Sequence, residues 1–492
     1  MKNPSKQWLS RILLGALLLG LASCGDSGSG TAKDTSPADS GTQPAVTEDP
    51  FIAALPDDLD FGGKVFHIGQ SSTRSGDYDE CAPDAEESKG DIIHEAVRKR
   101  NQYVEDKLNI RITSEREICS WTDLNSHIQY LVMAGDTTYD AFCASIYGLF
   151  MASINGMLLP LNEIPTLDLS NRWWDEEVNR MGSLGSDTMY FASGAINYLD
   201  DLSTTVLMFN RTLCERLDLE LPYQLVRDGK WTLDTFHEYV MSSSEDVDGS
   251  GDYTTDDLYG LICNAGAAAS FLAGSNAHII VVDDTGAVTI NQSEHLFNAL
   301  DQFFVKFMDK GNHAVVVAER KFGYDDANTI FPAGRGLFSL DMVDAINEMR
   351  MKMEDDFGVL PVPKYDEAQK SYYNLYNTAH ATGYSIPITE EDPEMIGRIL
   401  DLMGYYSEDT VYPAVIEKNV LVKGLRDEES AEMLDLIFHT KFYDMGQWGS
   451  DIYNDLCSMC ESGKNQYASK AAAMIKKTQK QFGAITEYYS FD

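Results

Sequence analysis

The hydrophobic pattern between residues 64 and 146 alternates between strand and helix periods, and this alternation constrains the fold more than any other feature. The predicted elements are a strand at 64–69, a helix at 91–108, a strand at 109–113, a helix at 124–135 and a strand at 139–146. Such alternation is typical of an α/β fold in which helices cover a mostly parallel sheet. In these sheets ligands bind at the carboxyl ends of the strands, which we expect near 69–72 and 145–147.

The size and charge of the chain narrow the classes of protein it can be. It has 492 residues, of which 43% are hydrophobic, and a formal net charge of −40 at pH 7. A single hydrophobic core stops growing near ~250–300 residues, so two large domains are expected. A surface this negative repels phosphate backbones, which argues against nucleic-acid binding. Neutral ligands, sugars above all, are the easiest to reconcile with this charge.

The first residues of the chain are typical of a secretory signal. Three basic residues, an apolar run at 12–21 and two small residues precede Cys24. The sequence Leu-Ala-Ser-Cys at 21–24 resembles a bacterial lipobox, which implies a lipoprotein signal peptide at 1–23 and lipid on Cys24. We therefore expect an extracytoplasmic protein anchored to the bacterial cell membrane, with 24–50 as a flexible linker. A secreted protein with a chance cysteine near its cleavage site is the alternative.

The remaining cysteines give little guidance. Seven follow Cys24, and their odd number and wide spacing do not suggest a disulfide framework. Cys457 and Cys460 are close in sequence. A disulfide or redox pair, and two small side chains one helical turn apart, both remain open for them.

Four stretches in the body, taken in order, resemble the extracellular solute-binding proteins of ABC importers, in the branch that carries sugars. They are GDIIHEAVRKRN with EDKLNI within 90–110; VLMFN at 206–210; GKWTLD at 229–234; and GRGLF at 334–338 followed by FGVLPVPK at 357–364. None of these motifs is specific alone. The ordered set, behind a lipobox, covers nearly the whole body of the chain.

The resemblance implies a two-lobe, type II periplasmic-binding-protein-like α/β fold, in which hinged lobes close around a ligand cleft. By this analogy lobe one is 51–205 with 376–427, lobe two is 206–375, and the C-terminal helices at 428–492 pack across the lobes. It also implies a monomer without enzymatic activity that captures a saccharide and delivers it to an ABC transporter permease. An oligosaccharide is favoured, because the chain is long for a binding protein and offers several aromatic residues.

An exported glycan-active enzyme, such as a glycoside hydrolase, is the alternative function. The chain has 78 acidic residues, so a catalytic carboxylate pair is always available and its presence decides nothing. The sequence contains no recognisable nucleophile or catalytic metal signature, which favours the binding protein.

Sugar sites combine flat aromatic faces with polar groups that meet the hydroxyls. The candidate ligand-binding residues are Tyr147, Trp174, Tyr198, Asp201, Asp341 and Trp448. Two adjacent tryptophans on a helix point about 100° apart, so at most one of Trp173 and Trp174 faces the cleft. We choose Trp174, and Trp173 stays open as the alternative. Asp341 is expected directly after a strand. Each candidate also has a structural alternative. The aromatic residues could pack in the core, residues 197–201 could form a solvated turn, and Asp341 could be a helix N-cap.

Residues 246–257 follow the pattern of an EF-hand calcium loop, with oxygen-bearing side chains at positions 1, 3, 5 and 12 and Gly251 at the sharp turn. The predicted metal ligands are Asp246, Asp248, Ser250, Asp252 through its backbone carbonyl, and Asp257. Asp257 departs from the pattern, which prefers Glu, and its shorter side chain supplies fewer oxygens. A structural Ca²⁺ is expected, and an acidic surface loop is the alternative.

Overall fold

The computed structural model describes residues 49–56, 59–72, 79–86, 88–182, 188–282, 288–425, 427–444, 446 and 451–488. The predicted signal peptide, Cys24, nearly all of the predicted linker and Trp448 lie outside the described residues. The chain divides into two compact units, Met1–Asp57 and Asp58–Asp492. The first contributes a single described helix, α1 (Pro50–Ala53).

Strands occur throughout the second unit. They are β1 (Lys64–Gln70), β2 (Ile110–Glu115), β3 (Ala141–Ser145), β4 (Thr205–Asn210), β5 (Tyr259–Cys263), β6 (Ile280–Val282), β7 (Val288–Ile290), β8 (Val315–Val317), β9 (Gly336–Met342), β10 (Phe357–Leu360), β11 (Asn374–Leu375), β12 (Thr382–Ser385) and β13 (Lys441–Phe442).

Helices fill most of the chain between these strands. They are α2 (Ile92–Leu108), α3 (Leu124–Ala134), α4 (Ile146–Ser153), α5 (Glu176–Gly182), α6 (Leu199–Leu202), α7 (Arg211–Arg216), α8 (Tyr223–Arg227), α9 (Leu233–Ser242), α10 (Ala267–Gly274), α11 (Glu294–Phe303), α12 (Ala318–Lys321), α13 (Tyr324–Ala327), α14 (Ala345–Lys352), α15 (Pro393–Glu408), α16 (Glu428–Phe438), α17 (Asp451–Ser462) and α18 (Tyr467–Tyr488). A 3₁₀ turn (Leu161–Glu163) and two π-helical segments (Phe304–Met308 and Pro413–Gly424) complete the set.

The first sheet has the strand order β12-β3-β1-β2 and contains the three strands predicted from the alternating pattern. β1 pairs in parallel with β2, where Phe66 lies opposite Ile112, and with β3, where Ile68 lies opposite Ala141. β12 comes from far along the chain and adds antiparallel to the other side of β3. The expectation of a mostly parallel sheet is confirmed.

The second sheet has the order β10-β4-β9-β5-β8 and is mixed. β4 lies between the antiparallel strands β10 and β9, whereas β5 is parallel to both β9 and β8. Every residue of β4 is buried, as expected for a central strand with an almost continuous apolar sequence. β5 and β8 had no counterpart in the sequence prediction, because short buried strands have no periodic signal of their own.

The two sheets are joined by chain segments that lie side by side. Thr204 and Tyr376 form an antiparallel bridge, and the Asn377 N–H donates to the Ser203 carbonyl at 3.1 Å. The Val343 N–H donates to the Thr204 carbonyl at 3.0 Å, which brings the end of β9 to the same place. These three passes form a narrow hydrogen-bonded connection, called the waist below.

The C-terminal segment also contacts this region, because β13 pairs in parallel with β11. The lobe boundaries at 205, 375 and 427 remain predictions. In the part of the chain that the structure describes, no helix is long and apolar enough to cross a membrane.

Candidate functional site

A cavity of about 920 Å³ lies in the second unit. Its walls come from the start of α2, the carboxyl ends of β5 and β9, α14 and the π-helical segment Pro413–Gly424. Residues 69–72 and 145–147, where the sequence placed a ligand, are not among the described residues that line it. Gln70 and Ser71 are buried, and the Ser145 hydroxyl caps α4, so these positions are occupied by the protein's own packing.

Short polar side chains form part of the cavity wall. The hydroxyl-bearing residues Thr205, Ser270 and Ser339 are 5%, 7% and 9% exposed and line the cavity. Their hydroxyls hydrogen-bond to no other described side chain or backbone group. These hydroxyls face the cavity, so water or a polar ligand there can pair with them. Sequence reasoning missed all three, since serine and threonine are too common to signal a site.

The turn between β5 and α10 supplies an amide and a tyrosine contact. Asn264 Oδ1 accepts the Gly266 N–H at 2.8 Å, which leaves its amide N–H groups for another partner. A Cβ on Gly266 would lie 2.5 Å from the Tyr453 hydroxyl, so glycine permits this close approach. Tyr453 and Tyr324 both line the cavity, as does buried Phe331, and Tyr324 is 50% exposed. The sequence did not single out these three rings.

Of the predicted ligand residues that the structure describes, Asp341 alone lines this cavity. It lies inside β9 rather than after it, and Asp344, not Asp341, precedes α14 as its N-cap residue. One carboxylate oxygen accepts the Met342 N–H at 2.9 Å. Burial, followed by the charge of Asp344, raises the pKa of Asp341 to about 7.

Tyr147 lies at the start of α4, half-buried, away from this cavity. Its ring packs edge-on against Trp121 with centroids 5.9 Å apart. The two rings form a partly exposed aromatic pair beyond the carboxyl end of β3.

Trp174 is buried rather than open to a cleft, and so is its neighbour Trp173. Both indole N–H groups donate to one oxygen of buried Asp401, at 2.8 Å from Trp173 and 3.1 Å from Trp174. The physical reason is that a buried indole needs an acceptor, and Asp401 on α15 serves both rings. In this structure the pair is a packing feature, which argues against a stacking role for Trp174.

Asp201 belongs to a buried ionic cluster at the waist, where it pairs with Lys441 at 2.7 Å. Lys441 also pairs with Asp175 at 3.3 Å and Asp200 at 3.5 Å, although only 8% of its side chain is exposed. We call Lys441 and these three carboxylates the waist cluster. Asp201 is therefore engaged by Lys441 and does not line the cavity. Tyr198 is buried and does not line the cavity either.

The waist cluster perturbs the proton affinity of its members. Burial raises the pKa of Asp200 to about 7, with Lys441 opposing and the other two carboxylates reinforcing the shift. Burial alone would lower the pKa of Lys441, but Asp200 and Asp201 outweigh it and hold that pKa above its ordinary value.

The predicted calcium loop connects α9 to β5 and is closed by a bridge between Glu245 and Leu258. Carboxylate oxygens of Asp246, Asp248 and Asp257 lie within 4.8 Å of one another. Asp257 is buried, and a hydrogen bond from the Thr254 N–H lowers its pKa.

The rest of the loop has the geometry of a sharp turn. Gly251 has φ +82°, which only glycine adopts without strain, and the Ser250 hydroxyl donates to the Asp252 carbonyl at 3.1 Å. The Asp252 side chain is exposed. The structure therefore brings the carboxylates of Asp246, Asp248 and Asp257 together. The Asp252 carboxylate does not join them, and the prediction gives Asp252 a role only through its backbone carbonyl.

No protein-family profile matches the chain, and no curated protein matches it by sequence. Solved structures do match. An ABC substrate-binding protein from Listeria monocytogenes, in complex with cycloalternan, is 14% identical, with 86% of this chain and 99% of that chain covered at a TM-score of 0.56. The maltose/maltodextrin-binding domain from Bdellovibrio bacteriovorus, bound to maltotriose, is 14% identical, with 85% and 100% covered at a TM-score of 0.52. The chain has the two-lobe fold of ABC substrate-binding proteins.

This substrate-binding-protein fold confirms the predicted α/β class. It does not fix the ligand. UgpB from Mycobacterium tuberculosis, in complex with glycerophosphocholine, has the same fold at 14% identity, with 87% of this chain and 98% of that chain covered at a TM-score of 0.55. The ligand must therefore be argued from the side chains of the cavity.

Proposed function

We propose that this chain is an extracytoplasmic solute-binding protein, without catalytic activity, that captures an oligosaccharide and passes it to an ABC transporter permease. The observation that carries the proposal is the set of hydroxyl-bearing residues without protein hydrogen-bond partners in the cavity wall: Thr205, Ser270 and Ser339. A ligand rich in hydroxyl groups can pair with such a wall without bringing net charge. The exposed ring of Tyr324 and the partly buried ring of Tyr453 provide flat apolar faces of the kind that a pyranose ring needs.

The size of the cavity supports an oligosaccharide. About 920 Å³ lies near the upper end of the ~300–1,000 Å³ range of small-molecule sites. The structural neighbours bound to cycloalternan and maltotriose also hold saccharides of more than one unit.

The test is calorimetric titration of the purified protein with a panel of mono- and oligosaccharides, with product analysis after long incubation. We expect one glycan class to bind with the glycan recovered intact. Thermal unfolding provides a second readout, because a ligand at 100 times its Kd stabilises by ~2.7 kcal/mol. A double variant, Ser270→Ala with Ser339→Ala, should weaken binding while the melting temperature of the free protein changes little. If no glycan binds, saccharide capture is refuted. If any glycan is cleaved, the absence of catalytic activity is refuted.

We propose further that Cys24 carries the lipid that anchors the protein. The support is the signal-like sequence before it, ending in Leu-Ala-Ser-Cys. The Cys24→Ser variant should move from the membrane fraction to the soluble extracytoplasmic fraction and lose incorporation of a labelled fatty acid. Retention of the label by this variant would exclude Cys24 as the lipidated residue.

We also propose that the loop 246–257 binds a structural Ca²⁺. Three converging carboxylates, a serine hydroxyl and a backbone carbonyl are the hard oxygen donors that Ca²⁺ prefers. Calcium should raise the melting temperature relative to chelator, and Asp246→Asn should remove that rise. Asp256→Asn is the matched control, since Asp256 lies in the same loop but is exposed and pairs with Arg335 at 2.7 Å. Equal behaviour of the two variants would contradict the assignment.

A further inference from the structure

The cavity contains a carboxylate that no cation balances. Asp341 is half-buried, and its one protein hydrogen bond comes from the Met342 N–H. It forms no ion pair with any described lysine, arginine or histidine. The charged groups that act on it are Asp344, Glu348 and His380. Two of these three are acids, so the local field opposes the ionised form of Asp341.

Two of the other acids around the cavity are already paired with basic side chains. His380 Nε2 lies 2.8 Å from Asp344 Oδ2, and Lys352 pairs with Glu348 one helical turn away. Lys423 also lines the cavity, but it forms no ion pair with Asp341.

Arg350 is also committed to the protein. Its guanidinium pairs with Asp356 at 3.3 Å, donates to the Gly424 carbonyl at 2.9 Å and stacks on the Phe357 ring. It is therefore held away from the unbalanced carboxylate.

A second observation at this wall is the set of unpaired hydroxyls beside Asp341. Ser339 precedes Asp341 by two residues on β9, so their side chains leave the same face of the strand. The Ser339 side chain is 9% exposed, lines the cavity and has no protein hydrogen-bond partner among the described residues. Thr205, opposite Met342 on β4, and Ser270 on α10 share these properties. A buried wall with this much unmet hydrogen-bonding capacity is built to receive a polar group.

The chemistry of that group follows from charge. A neutral hydroxyl can donate to Asp341 but leaves the negative charge unbalanced in a partly desolvated site. A protonated amine donates equally well and also neutralises the charge. The raised pKa of Asp341 has the same origin, since burial and nearby acids disfavour its ionised form until a cation arrives.

We propose that Asp341 determines the specificity of the cavity and that the captured saccharide is an amino sugar, with its protonated amine placed against this carboxylate. This inference rests on the proposed function and names its substrate class. The net charge of −40 adds a long-range attraction for such a cationic ligand.

The test is calorimetric titration at pH 7 of the whole protein with matched sugars that differ only at one position. The first pair is glucose and glucosamine. The second pair is cellotriose, which has a hydroxyl at C2 of each of its three units, and the trimer of β-1,4-linked glucosamine, which has an amine at each of those positions. The N-acetylated form of this glucosamine trimer is the third ligand. We expect at least one amine-bearing sugar to bind ten-fold or more tightly than its hydroxyl and N-acetyl counterparts. This preference should shrink as salt is added.

Two variants assign the preference to a residue. Asp341→Asn keeps the shape of the side chain and should reduce the preference to within two-fold, with affinity for neutral sugars retained. Glu348→Gln is the matched control, because it removes the same charge from the same cavity at a carboxylate that Lys352 already neutralises. The Glu348→Gln variant should still bind the amine-bearing sugar more than five-fold more tightly than its hydroxyl counterpart.

The possible failures are distinguishable. Equal or weaker binding of every amine-bearing sugar overturns the amino-sugar inference, and the saccharide function then stands or falls on the neutral glycans. An equal loss of preference in both variants also overturns it, since the effect would then belong to the general field and not to Asp341.

Discussion

Replacement of Lys441 by methionine tests the waist cluster, the most concentrated charge in the interior of the described structure. The substitution keeps most of the apolar stem and removes the ammonium, which lies 2.7–3.5 Å from carboxylates of Asp201, Asp175 and Asp200. At these distances each attraction is worth roughly 5 kcal/mol at an effective dielectric constant of 20. Much of that is offset by desolvation, and breaking a buried ion pair costs about 3–5 kcal/mol net. We expect Lys441→Met to lose this amount of stability.

The loss should depend on pH in a defined direction. Burial raises the pKa of Asp200 to about 7, so its contribution to stability is complete below its unfolded pKa and is lost as pH rises through about 7. Without Lys441, the three carboxylates repel one another most strongly when all are ionised. The stability of Lys441→Met should therefore be closer to that of the native protein at pH 5.5 than at pH 9.

The assay is urea unfolding at both pH values, followed by tryptophan fluorescence. The control is Lys370→Met, which removes the same charge from an exposed position. At pH 9 we expect a midpoint decrease equivalent to at least 3 kcal/mol for Lys441→Met and to less than about 0.5 kcal/mol for the control. Equal midpoints for the two variants at pH 9, or a larger loss at pH 5.5, would refute the electrostatic account.

Three further predictions concern single contacts. In the same unfolding assay, Asp200→Asn should lose less stability at pH 9 than at pH 5.5, because it removes a carboxylate whose burial costs most when it is ionised. The control Glu367→Gln, at an exposed position, should show no such dependence on pH. Asp401→Ala should lower the free energy of unfolding by about 3 kcal/mol, because two indole N–H groups lose their acceptor. A change in ligand affinity would instead place Trp173 and Trp174 in the binding site. Gly266→Ala should displace the Tyr453 ring and weaken ligand binding several-fold, while the melting temperature falls by less than about 3 °C; unchanged affinity would remove Tyr453 from the site.

Much of the fold could be predicted from the sequence because its signals are local. α2 and its flanking strands follow from hydrophobic periodicity and a capping aspartate, Asp91, which accepts the N–H groups of the first turn. β5 and β8 could not be found this way. They are short and fully buried. β5 becomes a strand only through pairing with β9, and β8 only through pairing with β5, and both partners are distant in sequence.

The candidate site was predicted less well, for a related reason. Asp341 is predicted because the family resemblance implies a ligand-contacting residue there, and it lines the cavity. Ser339 and Asn264 are common residue types, and they become candidate ligand contacts only where β5 and β9 meet at the cavity. Nothing in the sequence near Trp174 indicates that Asp401 on α15 accepts its indole N–H. Long-range partners decide whether a polar or aromatic residue is structural.

The position of β12 in the first sheet has a consequence for biosynthesis. β3 ends at Ser145, but the strand that covers its outer edge begins only at Thr382. While the chain emerges from the ribosome, every residue between these two must be made before that edge can be paired. An open edge strand is a template for pairing with other chains, and such distant pairing is slow. Nascent chains should therefore depend on chaperones that hold them unfolded until synthesis passes β12, and truncations before it should aggregate.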